Sequence, residues 1–218
     1  MNPPGFPGES VEKLKPIQNY DPKLAADLLA EAGYPGGKGF PKLTLYTRNA
    51  YPALTNAAEA IAAMIKESLG IEVEVQNLDY KIYSEKLAKQ KKNKGGDMIF
   101  AIVPYEYDIV DGSNLLSVWG GCESADNPQP GRHTWYSKEY NDLLCEANVI
   151  IGDEDKRNAL YQQAEKILIS DVALVPIYHG IYNAMVASDL AGPALEPGAS
   201  GKVTFRRFKM NTSEGQVY

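Results

Sequence analysis

The sequence predicts an α/β fold, a mixed but mostly parallel sheet flanked by helices. Three observations point there. Segments of helical period alternate with segments of period two between residues 20 and 103. The last strand-like run of that series is apolar on both faces. The chain of 218 residues, 44% hydrophobic and 23% charged, is long enough to bury a real core. It carries no internal repeat and no low-complexity tract.

The first element is a helix in "YDPKLAADLLAEAGYPGG", with Asp21 as N-cap and Pro22 at its first position. Leu24, Ala25, Leu28, Leu29 and Ala32 form its apolar stripe, and Gly33 and Pro35 stop it. "PKLTLYTR" alternates as a strand, with Leu43, Leu45 and Thr47 on one face and Thr44 and Tyr46 on the other. A helix follows, opened by the capping-box spacing of Asn56 and Glu59, carrying Ile61, Met64, Ile65 and Leu69 at helical spacing and ended by Gly70. "IEVEVQN" turns Ile71, Val73 and Val75 inward and Glu72 and Glu74 outward, as a strand towards the sheet's edge does. Residues 80–91 form another helix around Tyr80, Tyr83 and Leu87, and "DMIFAIV" reads as the buried central strand. The β-α-β-α-β order implies parallel strands joined by right-handed crossovers.

Further along, a short helix is expected near Asn114 to Trp119, then a Gly-, Pro- and Asp-rich loop over 120–134. Two helices come next, one from Lys138 burying Tyr140, Leu143, Leu144 and Ala147, the other from Asp153 burying Leu160, Tyr161, Ala164, Ile167 and Leu168. "ALVPIYHG" and "IYNAMVAS" read as short strands, and the last thirty residues as irregular apart from "KVTFRRF".

A formal charge of −6 argues against a nucleic-acid surface. The basic cluster "KQKKNK" ends a predicted helix, where cations oppose the negative end of the dipole. No stretch reaches the ~18 consecutive apolar residues of a membrane span. The opening "MNPPGFPGES" has neither the charged nor the apolar region of a signal peptide and reads as an internal linker behind an added Met1. Cys122 and Cys145, with His133 and His179, lack the spacings of a zinc site, so no metal is expected. Two readings of the cysteines stand side by side: buried thiols, or a disulfide closing the loop 120–133 onto the next helix in an oxidising compartment. The phosphate-binding, dinucleotide-binding and hydrolase-elbow motifs do not occur, and no cofactor is expected.

The chemistry concentrates in "YEYDIVDGSNLL", residues 105–116, where Glu106, Asp108 and Asp111 follow the strand read as central. Ligands of open α/β sheets gather at the carboxyl ends of strands. A carboxylate there suits an ammonium group, while the 1, 3 and 6 spacing of the three acids fits calcium poorly. A small hydrolytic enzyme using this acidic loop, and a module that docks on a partner, are the readings from other classes; a plain solvated loop is the bland one.

The order of "PPGFPG", "YDPKLAADLLAEAGYPGGKGFPKLTLYT", "LGIEVEVQNLDYKIYSEKL", "YNDLLCEA" and "LYQQAEKILISDVALVPIYHG" resembles the carboxy-terminal lobe of the extracytoplasmic solute-binding proteins of peptide-type ABC importers, the dipeptide- and oligopeptide-binding family 5. The resemblance covers residues 3–186 and implies a type II periplasmic-binding-protein lobe without catalysis. In that family the loop reads G-W-x-x-D-x-x-D-P-x-N-F-L, which places Asp108 and Asp111 at the two Asp positions and Asn114 at the Asn. It implies that Asp108 receives the free amino group of a bound peptide. Tyr105, Tyr107 and Trp119, with Trp135, are the candidates for apolar walls, and Asp111 is a ligand contact or a helix cap; Tyr178 and His179 are structural. The sequence departs from the pattern at Pro104, Tyr105 and Gly112, where Gly, Trp and Pro are usual. The implied partners are a peptide or another small solute, membrane permease subunits, and an amino-terminal lobe missing from this stretch. Other solutes carried by such receptors are nickel complexes, opines, glutathione and oligosaccharides. The implied organisation is a linker over 1–19, a ligand-binding lobe over 20–186 and a tail over 187–218 returning to the other lobe, all extracytoplasmic.

Overall fold

The computed structural model describes residues 2–49, 51–93, 100–128, 130–180, 185, 190–191 and 209–210. In chain order they form α1 (Val11–Leu14), α2 (Pro22–Glu31), a short 3-10 turn (Pro35–Gly37), β1 (Leu43–Arg48), α3 (Pro52–Leu69), β2 (Val73–Leu78) and α4 (Tyr80–Asn93). There follow α5 (Gly112–Leu116), α6 (Lys138–Val149), α7 (Glu154–Ser170), β3 (Leu190–Ala191) and β4 (Lys209–Met210). These residues divide into two compact units: residues 1–17, 106–130 and 137–218 make the first, and 18–105 with 131–136 the second.

The second unit is the α/β layer. β1 and β2 pair in parallel, with Leu43 opposite Val73 and Arg48 opposite Leu78. On the other side of β1, the Tyr46 N–H donates to the Phe100 carbonyl at 3.0 Å and the Ile102 N–H to the Tyr46 carbonyl at 2.9 Å, a parallel bridge. β1 is therefore the strand with neighbours on both sides among the described residues. The placing of "DMIFAIV" at the centre falls partly outside the described residues, which omit 94–99; its described part lies beside β1. The alternation of β1 conceals two covered faces. Leu45 is buried with Leu54 and Ala58 of α3 and with Ile102, while Tyr46 is buried with Tyr83 of α4. Each such side chain contributes about 2 kcal/mol by leaving water.

Local chemistry sets most boundaries. Asp21 caps α2 by accepting the Leu24 N–H at 2.8 Å, with Pro22 at the start. α3 begins at Pro52, one turn before the Asn56 and Glu59 spacing, because a proline in the first turn gives up no helical hydrogen bond. Gly70 ends it in the left-handed conformation at φ 69°. Leu24 and Leu28 of α2 stay 53% and 54% exposed, so the stripe read along that helix is only partly covered.

The first unit is helical. α6 and α7 pack on each other and α5 packs on both. Leu115, Leu116, Val118, Trp119, Tyr140, Leu144, Ala147, Leu160, Tyr161, Ala164 and Leu168 are buried. Asp153 caps α7 through the Lys156 N–H at 3.0 Å. The opening residues belong to this core: Asn2, Phe6, Ser10 and Leu14 are buried. Glu165 of α7 accepts the Asn2 N–H at 3.0 Å and the Ser10 hydroxyl at 2.7 Å. Cys122 and Cys145 form a disulfide that ties the loop after α5 to α6. The stretch 173–180, expected as a strand, makes no ladder among the described residues, and Val175, Ile177 and Tyr178 are exposed. An apolar run becomes a strand only beside an edge that takes its N–H groups. "IYNAMVAS" apart from Met185, and "KVTFRRF", lie outside the described residues.

Candidate functional site

The acidic loop belongs to the first unit from Glu106 onward. Asp111 caps α5. Its Oδ1 accepts the Ser113 N–H at 2.9 Å and the Ser113 hydroxyl at 2.5 Å, and its Oδ2 meets the Arg157 Nη1 at 2.7 Å. Burial alone would raise its pKa, but the Ser113 donors and the Arg157 charge outweigh it and hold the carboxyl below the usual carboxylate range. A depressed folded-state pKa adds stability above the unfolded value, near 4, that is lost as pH falls through the folded one. Acid titration of unfolding should therefore show Asp111→Asn losing less stability than the parent below about pH 4; parallel acid limbs would refute the pairing.

Asp108 stands differently. Its N–H donates to the Asn114 Oδ1 at 2.9 Å, which fixes the loop at that residue. Its carboxylate is exposed and carries no hydrogen bond or ion pair among the described residues. Glu106 is also exposed. Tyr107 is half-buried, edge-on to Phe6 at 5.0 Å between ring centroids. Trp119 is buried among the helices. Gly112, where the family pattern has Pro, leaves no room for a side chain: a Cβ would meet Tyr161 Cδ2 at 2.6 Å and the Pro7 carbonyl at 2.9 Å. That close approach accounts for the glycine.

The second unit holds a constellation that the sequence reading passed over. Arg48 ends β1, and its guanidinium lies over Tyr51 at 4.9 Å and Tyr80 at 5.3 Å from the ring centroids. Tyr80 opens α4, two residues past Leu78, the register partner of Arg48. The rings shield the cation without neutralising it. Its Nε is buried and meets no acceptor among the described residues. An unmet buried donor costs about 1–3 kcal/mol.

Tyr105, 36% exposed, follows the 100–102 segment, and its hydroxyl lies 2.8 Å from His133 Nε2. Lost hydration raises its phenol pKa, while the Arg132 and Arg48 charges pull it down. Burial pushes the Tyr83 phenol up to about 12, helped by Tyr105 and opposed by Arg48. Arg48, Tyr51, Tyr80 and Tyr105 thus gather at the carboxyl edge of a parallel sheet, where ligands bind open α/β folds. The signal was available: each of these residues ends or follows a predicted strand.

Residues 1–127 match the family model described as bacterial extracellular solute-binding proteins, family 5, middle region. The chain belongs to that family. The matched residues of the family 5 chain include Arg48, Tyr51, Tyr80, Tyr105 and the acidic loop, whereas Arg132 and His133 lie beyond them. Among curated relatives, the probable deoxycholate-binding periplasmic protein YgiS of Escherichia coli is 28% identical over 82% of this chain and 31% of its own length. The oligopeptide-binding protein OppA of Bacillus subtilis is 27% identical over 94% of this chain and 36% of its own. The oligopeptide-binding protein OppAIV of Borrelia burgdorferi superposes with a TM-score of 0.60 at 25% identity, over 77% of this chain and 31% of that one. The family 5 chain thus spans about a third of the length of these relatives.

Proposed function

We propose that this chain is the ligand-binding lobe of a receptor that delivers peptides to the membrane permease of an ABC importer, and that Asp108 receives the peptide's amino group. The carrying observation is Asp108 itself: its backbone is fixed by Asn114, while its carboxylate has no partner among the described residues. A held and unpaired carboxylate is what an ammonium group requires. The Cys122–Cys145 disulfide supports a place outside the reducing cytoplasm. The relatives named above are called binding proteins, and the acidic loop is assigned no catalysis.

Calorimetric titration of the Asp108→Asn protein decides the role. Affinity for peptides with a free amino terminus should fall about tenfold or more, the lower end for a charge-assisted hydrogen bond at an exposed group. Amino-acetylated peptides should be nearly unaffected. Equal losses for both sets would remove Asp108 from the site.

A further inference from the structure

We propose that the carboxyl edge of the second unit's sheet receives a doubly negative group, a phosphate or a pair of carboxylates, on Arg48 and Arg132 with His133 and Tyr105 beside them. This rests on the reading of the chain as a solute receptor and names the charge class of its solute.

The chain has 28 acidic and 22 basic residues, so an arginine without an acidic partner is not the expected outcome. Two occur on this edge, since neither Arg48 nor Arg132 has an ion pair among the described residues. The plane of Arg48 is fixed by Tyr51 and Tyr80, at 4.9 and 5.3 Å. Such a fixed fork with an unmet Nε–H is preorganised for two oxygens of one oxyanion. Arg132 precedes His133 in the chain, and His133 is anchored to the Tyr105 hydroxyl at 2.8 Å and to its ring, edge-on, at 6.1 Å. The parallel bridge of Tyr46 to Ala101 sends Arg48 and Tyr105, each a few residues further on, to the same edge, and Arg132 is the chain neighbour of the histidine that Tyr105 holds there; both guanidinium charges pull the Tyr105 phenol pKa down. A single carboxylate neutralises one arginine and leaves the other. A phosphate, close to −2 at neutral pH, or two neighbouring carboxylates, answers both.

The test uses the whole protein and tripeptides that differ only in the last residue: alaninamide, alanine, aspartate and phosphoserinamide. Their carboxy-terminal residues carry zero, one, two and about two negative charges. Affinity should rise along the series by about tenfold per charge. Arg132→Gln, at an exposed position where folding is not at stake, should bring both doubly charged peptides down to the alanine peptide. The tighter of aspartate and phosphoserinamide identifies the oxyanion. An amide that binds as well as the dianions, or a ranking unchanged in Arg132→Gln, overturns the proposal. Acetylating the same peptides probes Asp108 alone, so one dependence can fail while the other stands. Should no peptide bind, inorganic phosphate decides the edge by itself: a rise in melting temperature that Arg132→Gln abolishes sustains the proposal, and no rise ends it.

Discussion

Replacing Glu165 by alanine is expected to destabilise the first unit by about 4 kcal/mol, from two stranded donors at about 1–3 kcal/mol each together with the cavity left behind. Glu165 is 0% exposed, as is Asn2, whose N–H it accepts, and Ser10 is buried beside them. Neither donor has water to turn to once the carboxylate is gone. The conservative Glu165→Gln change keeps the volume and one acceptor oxygen, and should cost roughly half as much. Urea unfolding of the three proteins gives the ranking parent, Gln, Ala. An alanine variant within 1 kcal/mol of the parent would mean that the opening segment is held by something else. Burial, with the Glu165 charge adding to it, pushes the Tyr140 phenol well above its ordinary range, while the Tyr140 hydroxyl donates to the Leu116 carbonyl at 2.8 Å.

Reduction of Cys122–Cys145, or its loss in Cys145→Ser, should lower stability by about 3 kcal/mol, the chain-entropy value for a closed loop of this size. The two Cα atoms lie 4.9 Å apart across 23 positions. The geometry does not depend on the bond alone. Buried Asn141 accepts the Gly121 N–H on its Oδ1 at 3.1 Å and donates its Nδ2 to Glu123 Oε1 at 3.0 Å, gripping the chain on both sides of Cys122. The disulfide therefore closes a loop whose start is already in place, and its effect should lie chiefly in the unfolded chain. Urea midpoints of oxidised and reduced protein should differ accordingly; coincident midpoints would show that Asn141 suffices.

What the sequence made legible was whatever depends on neighbours in the chain. The cap at Asp21, the opening of a helix at Asp153, the stop at Gly70, the buried faces of α6 and α7 and the parallel β1–β2 pair all follow from spacing and residue type. What it left unread depends on distant residues. The alternation of β1 says nothing of what covers the face of Thr44 and Tyr46, where Tyr46 is buried with Tyr83 of α4. Glu165 falls on a buried helical face where periodicity expects an apolar residue, and its partners lie 163 and 155 positions away. The Cys pair could not be decided from two residues with no motif between them. In the first unit, the acidic loop stood out by its cluster of like charges. The Arg48 edge did not: Arg48, Tyr51, Tyr80 and Tyr105 each end or follow a predicted strand, but they are far apart in the chain, and strand pairing together with the Tyr105–His133 hydrogen bond gathers the edge.

The bonds from Asn2 and Ser10 to Glu165 also set an order of assembly. A ribosome works from the amino end, so the second unit has its stretch 18–105 in hand early. Asn2 and Phe6 of the first unit are made well before α7, and they wait, uncovered, until α7 has been synthesised. A segment can thus be complete long before the helix that satisfies it exists, 163 and 155 positions further along the chain.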